Sequence, residues 1–156
     1  MLTNSCNWDG LDKLRVGRFG EYFAKMAFTR AGYDVYSPEV DDRAIDFVIR
    51  TCGAEMRYLE IQVKTVRLAR SSYVFMRKKH FPISPDRYLA LVTLKQGEEP
   101  ELYLIPSTVW ADPAAPFVSR DYEGKKSDPE YGLTASAKNL NQLGTYRFTE
   151  RFELAA

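Results

Sequence analysis

Residues 57–65 read RYLEIQVKT and alternate without a break: Tyr58, Glu60, Gln62 and Lys64 fall on one side, Leu59, Ile61 and Val63 on the other. Successive side chains of an extended chain point to opposite faces, so this period of two is a strand with one clean apolar face. A half-buried strand with its polar side in solvent is the commonest source of such a pattern. Here the polar side carries an acid, an amide and an amine in a row.

The segments around it supply a helix and further strands. Leu11 to Ala31 is predicted helical, because Val16, Phe19, Phe23, Met26 and Ala27 recur at helical spacing, Asn7 or Asp9 can open it and Gly32 can close it. Strands are expected at Tyr33 to Ser37, Ala44 to Arg50 and Arg57 to Thr65, with Asp41-Asp42 and Cys52-Gly53 as punctuation. Tyr73 to Met76 is a further short strand, and Arg87 to Leu94 with Glu101 to Ile105 form a hairpin. Ser107 is placed as the cap of a short turn through Trp110, the stretch from there to Tyr131 as irregular, and a last helix at about Ala135 to Leu143, capped by Thr134 and stopped by Gly144.

With 156 residues, 45% hydrophobic and 28% charged, the chain has the make-up of one soluble globular domain and excludes disorder and low-complexity scaffolds. Cys6 and Cys52 are too few for a disulfide framework, and no C-x-x-C pair offers a zinc site. The first residues show neither a basic n-region nor an apolar h-region, and no apolar run approaches a bilayer span. A cytoplasmic protein is expected.

A net charge of +1 conceals an asymmetry. Between Lys64 and Arg87 stand seven bases (Lys64, Arg67, Arg70, Arg77, Lys78, Lys79, Arg87) against the single acid Asp86, so the rest of the chain is net acidic. Interleaved with Tyr73, Phe75, His80 and Phe81, this segment has the composition of a phosphate-tracking surface with stacking side chains; a solvated basic loop has the same composition. The acidic stretch from Glu98 to Glu130 has no role assigned by the sequence.

Asp46 sits in mid-strand among Ile45, Phe47 and Ile49, where aspartate is depleted. If its strand and the next form a hairpin, Asp46 converges with the Glu60, Gln62 and Lys64 face. Glu21 lies on the helix opposite the apolar stripe; its own side contains Leu14, Gly17, Ala24 and Phe28, and an i,i+4 pair with Lys25 is the simplest role for it. His80 is the only histidine, so histidine metal clusters are excluded, and no phosphate-cradling glycine loop is present.

Glu21 on a leading helix, Asp46 on the second strand and Gln62-Val63-Lys64 on the third resemble the PD-(D/E)xK nuclease superfamily. The I-D … Q-x-K form is similar to its glutamine-bearing branch, which includes resolvase-like and homing endonuclease-like enzymes. The resemblance covers about the first 105 residues. Ile45 stands where proline is common in the superfamily, and Gln62 where an acid is. The fold it implies is α/β: a restriction endonuclease-like core with a mixed sheet of about five strands, an N-terminal helix and a short C-terminal helix. One nuclease-like domain over 1–156 is expected, with its core at about 11–105 and an extension at about 106–156.

The resemblance implies a metal-dependent DNA endonuclease in which Asp46, Gln62, Lys64 and Glu21 are catalytic. Hydrolysis of a phosphodiester needs a divalent ion, and Mg²⁺ (or Mn²⁺) accepts hard oxygens from one or two carboxylates. Asp46 supplies a carboxylate and Gln62 a neutral oxygen. Glu21 acts through water or on a second ion, and Glu60, one same-face step before Gln62, is an alternative donor. Lys64 holds the attacking water and stabilises the pentacovalent phosphate. Backbone contacts fall to Arg67, Arg70, Arg77, Lys78 and Lys79. Family members usually act as dimers or tetramers, so a homodimer or homotetramer is expected. The alternative is a nucleic-acid-binding or protein-interaction module on the same fold whose chemistry has lapsed, and a third reading is an interaction protein with no nucleic-acid partner.

Overall fold

The computed structural model of the chain describes residues 6–69 and 73–149. It opens with α1 (Lys13–Arg30), whose N-terminus is capped by Asp12, its side chain accepting the Arg15 N–H at 2.8 Å. Asn7 and Asp9, the expected openers, instead bind Gln96 and tie the N-terminal segment to the turn beyond it. Gly32 ends the helix as expected. At φ 93° its N–H reaches Thr29 and the next N–H reaches Phe28, which closes the last carbonyls in a Schellman motif.

The buried face of α1 is Val16, Gly20, Ala24 and Phe28, while Met26, expected on the apolar stripe, is 63% exposed. Gly20 explains the rotation. A Cβ there would lie 1.7 Å from Thr65 Oγ1, so only glycine lets the helix axis come this close to the strand below. Ala24 and Phe28, assigned from the sequence to a contact-making side of the helix, are fully buried; Leu14 of the same group is exposed.

Five strands form the main sheet in the order β1 (Asp34–Tyr36), β2 (Phe47–Arg50), β3 (Tyr58–Arg67), β5 (Arg87–Leu94) and β6 (Glu101–Pro106). The β3–β5 pair is parallel and the others antiparallel, so the sheet is mixed. A parallel pair needs a long crossover. Here the crossover contains β4 (Tyr73–Arg77) and a 3-10 turn (Lys78–His80).

β4 does not join that sheet. It pairs with β8 (Glu130–Thr134), which pairs with β7 (Phe117–Arg120), forming a second, three-stranded sheet. Two strands thus occupy the stretch expected to be irregular. Each is short, and the pairing that brings both into a sheet, β8 with β4, spans more than fifty residues, so local pattern carries little sign of it.

The main sheet is covered on both faces. Leu59, Ile61 and Phe47 pack under α1 with Phe28; Leu89, Leu91 and Ile105 pack with Met76, Leu133 and Trp110 on the other side. Every residue of β5 is buried, as a strand between two layers must be. Full burial of each leucine, isoleucine, valine or phenylalanine among them contributes about 1.5–3 kcal/mol.

At the C-terminal end, α2 (Ala137–Leu140) is one turn long, capped by Ser136 rather than Thr134, and a 3-10 segment (Asn141–Tyr146) runs through Gly144 instead of stopping there. Thr134 is the last residue of β8. Ser107 opens a 3-10 turn (Ser107–Trp110) without capping it; its hydroxyl bonds both backbone groups of Ser84. The result is the mixed α/β architecture expected: a five-stranded mixed sheet with an N-terminal helix on one face and a short C-terminal helix. No helix among the described residues is long and apolar enough to cross a membrane.

Candidate active site

Asp46 stands at the entrance of β2 rather than in mid-strand. The residues from Ala44 were expected to be extended, but Ala44 adopts φ 55°, and the strand begins only at Phe47. The Asp46 N–H still reaches the Ile61 carbonyl at 2.9 Å, and its Oδ2 then accepts the N–H of Val63 at 2.6 Å. The carboxylate thereby continues the ladder to β3 beyond the last paired residues, Phe47 and Ile61. This places it beside the strand that carries Gln62 and Lys64.

Burial dominates the electrostatics. It pushes the Asp46 carboxyl up to about 6; the Val63 N–H opposes this, the Glu21 and Asp41 charges add to it, and Lys64 draws it down. The Lys64 ammonium is held below the usual lysine range, first by burial and then by Lys13, with Asp46 opposing. Asp46 and Lys64 therefore feel each other through a partly desolvated medium, where charges act strongly. Neither forms a close ion pair among the described residues.

Gln62 is 7% exposed, and its Oε1 has no hydrogen-bond partner. A buried amide oxygen without a donor costs about 1–3 kcal/mol, and such an orphan calls for an occupant. Glu21 accepts from Arg18 at 3.0 Å rather than pairing with Lys25, whose Nζ reaches Ser37 Oγ. Its side chain is 29% exposed and its charge is felt at Asp46.

Glu60 shares the strand face with Gln62, but its carboxylate accepts from Arg87 at 3.0 Å. Arg87 is the residue that sequence reasoning missed. Its guanidinium is 2% exposed and also donates to the carbonyls of Ala44 at 3.1 Å and His80 at 2.6 Å. It thus joins the segment leading into Asp46, the start of β3 and the 3-10 turn after β4. The available signal was a lone arginine opening the otherwise uncharged run RYLALVTL; its pairing with Glu60 depends on the parallel register, which places the two residues opposite each other.

The basic segment is largely engaged within the protein. Arg77 pairs with Asp128 at 2.5 Å, Lys79 with the same carboxylate at 3.4 Å, and Lys78 with Asp121 at 2.7 Å. Asp121 and Asp128 belong to the acidic stretch that had no assigned role. Arg67 donates to the Leu11 carbonyl at 2.5 Å. Arg70 lies outside the described residues.

No three His, Cys, Asp or Glu side chains among the described residues form a ready ligand cluster. The donor set is nonetheless of the kind a hard cation accepts. It comprises one desolvated carboxylate, one unpartnered amide oxygen and a second carboxylate near enough to be felt, with the remaining positions left to water. A softer metal, which favours thiolate or imidazole, finds neither in this set.

No protein-family model matches the chain, and no curated protein matches it. Among solved structures it is similar to Hjc, a Holliday junction resolvase of the archaeal hyperthermophile Archaeoglobus fulgidus, at a TM-score of 0.45 and 11% identity. That alignment covers 76% of this chain and 83% of the resolvase.

Proposed function

We propose that the chain is a metal-dependent DNA endonuclease whose phosphodiesterase site is Asp46, Gln62 and Lys64, with Glu21 in support. One observation carries the reading: a desolvated Asp46 carboxylate, anchored on the Val63 N–H, stands beside the strand that presents an unpartnered Gln62 oxygen and a desolvated Lys64. Each of these groups is costly where it is, and such costs concentrate at functional sites.

Asp46 and Gln62 hold the ion, and Glu21 acts through water or on a second one. A divalent ion held there would make a bound water more acidic than bulk water and would neutralise charge on the phosphate. Lys64 orients the attacking oxygen. As the new P–O bond forms and the bond to the leaving sugar oxygen breaks, its ammonium offsets the negative charge gathering on the phosphate oxygens. Desolvation strengthens that attraction, and the departing sugar oxygen, on the far side of the phosphorus from the attacking one, takes its proton from water. One such centre cuts one strand, so paired incision is assigned to a homodimer or homotetramer.

Incubation with Mg²⁺ or Mn²⁺ and a panel of supercoiled plasmid, linear duplex, flap and four-way junction tests this. Cleavage by the wild type, with loss of at least two orders of magnitude in Asp46→Ala and in Lys64→Ala at unchanged fold and with most of the DNA affinity retained, is the expected result. Wild type and both variants binding DNA equally without cutting is the result that marks a lapsed, binding-only module.

A further inference from the structure

Phe75 lies on the outward face of β4 and is 43% exposed, although its strand neighbours Val74 and Met76 are buried. Its ring centre is 5.8 Å from Lys64 Nζ. Next to it, the Tyr73 ring lies nearly parallel, at 19° and 6.4 Å between centroids. Tyr73 is held in place: its hydroxyl donates to the buried Glu130, Arg120 covers its ring at 4.7 Å, and Gly132 leaves the room beneath it, since a Cβ there would lie 2.2 Å from the hydroxyl. Phe75 therefore stands on a fixed support at the edge of the site.

A groove of about 680 Å³ runs past this pair, lined by Lys13, Lys64, Arg67, Tyr73 and Phe75 among others, with no acid on its described walls. Its chemistry contrasts with the Arg77, Lys78 and Lys79 cluster, whose charges are met by aspartates. Lys13 and Lys64 have no ion-pair partner among the described residues. Cations that remain free beside an exposed aromatic ring combine phosphate attraction with a stacking platform.

Resting on the nuclease reading above, we infer that Phe75 stacks on an unpaired base adjacent to the phosphate held at Lys64, so that the groove takes single-stranded nucleic acid next to the scissile bond. In a continuous duplex both faces of each base are covered by its neighbours, leaving nothing for the ring to meet. A tail, flap, gap or branch exposes a base face. Stacking of this kind is indifferent to base identity, because every base has a π-face.

The test uses anisotropy in EDTA, at fixed salt, with a blunt duplex, the same duplex bearing a single-stranded tail, and the same duplex bearing an abasic tail with equal phosphates. Wild type should prefer the base-bearing tail to the abasic one by about tenfold. Phe75→Ala should bind the two equally and leave blunt-duplex affinity within about twofold, and Phe75→Trp should keep the preference. The ring is exposed enough for its loss to spare the fold, which near-UV circular dichroism checks independently.

A wild type that binds and cleaves DNA without preferring bases in the tail overturns the stacking inference alone. So does a Phe75→Ala protein that retains the preference, or one whose only change by light scattering is its oligomeric state. A wild type that binds none of the probes overturns both this inference and the nuclease reading.

Discussion

The Asp46 carboxylate accepts the backbone N–H of Val63 at 2.6 Å, so a side chain completes a strand ladder that the backbone leaves unfinished. Two consequences follow from the same bond. The acid is fixed beside β3 within one residue of both Gln62 and Lys64, and it is drawn into a region where its charge is expensive. The chain keeps an ionisable group at a point where a neutral acceptor would serve the fold at least as well.

Replacing Asp46 with asparagine therefore separates stability from activity. The folded carboxyl, pushed up to about 6 from 3.8, binds protons more tightly than the unfolded one. Stability should fall as pH rises from about 4 to 6, and the penalty should persist above 6. Asp46→Asn keeps an oxygen for the Val63 N–H without the charge. In metal-free urea titrations it should be more stable than wild type by about 1–2 kcal/mol at pH 8, after discounting for solvent screening, and equal or less stable at pH 4. Its cleavage activity should be lost. A variant less stable than wild type at pH 8 would show the carboxylate to be a structural anchor.

Gln62→Glu tests the orphaned oxygen. Without metal, a second buried carboxyl near Asp46 should lower stability by about 1–3 kcal/mol. Saturating Mg²⁺ should then raise the melting temperature of the variant more than that of wild type, because a ligand that binds only the folded state stabilises it in proportion to its affinity. Melting curves insensitive to Mg²⁺ in both proteins would count against Gln62 as a ligand position.

Arg87→Met removes the cation that links Glu60 to the Ala44 and His80 carbonyls. Stranding the partner of a buried pair costs about 3–5 kcal/mol, and Glu60 is half exposed, so a loss near 3 kcal/mol is expected in urea denaturation. Arg87→Lys should recover little of it, since an ammonium cannot span the same set of acceptors. Full stability in Arg87→Met would leave the Asp46 segment held by other contacts.

The Asp121→Asn, Asp128→Asn double variant frees Arg77, Lys78 and Lys79 from their pairs. These pairs are exposed, so stability should change by less than about 1 kcal/mol for each. DNA affinity should rise at low salt, and the slope of log K against log salt should steepen by about 2 to 3, one increment for each cation released to phosphate. An unchanged slope would mean that these bases face away from the bound DNA.

Much of the fold was legible because its elements are written in local pattern. The alternation in RYLEIQVKT, the helical spacing from Val16 to Ala27 and the glycine at position 32 each imply their element without reference to the rest of the chain. The same alternation set Gln62 and Lys64 on one face of β3, where a nearby acid would complete a site. The helix was placed correctly but not its rotation, which depends on the Gly20 and Thr65 contact across two elements. The second sheet was missed for a related reason: β7 and β8 are too short to announce themselves before β8 meets β4.

The sequence by itself thus determined which residue types stand at which period: an acid, an amide and a lysine on neighbouring extended segments, and an uneven distribution of charge. The tertiary structure alone decided how those charges were used. It paired the basic run at the surface with Asp121 and Asp128, buried Arg87 against Glu60, and left Lys13, Lys64 and Phe75 facing an open groove. Side-chain direction along a strand is a local property of the backbone, whereas a charge's partner is set by whichever distant segment the packing brings within reach.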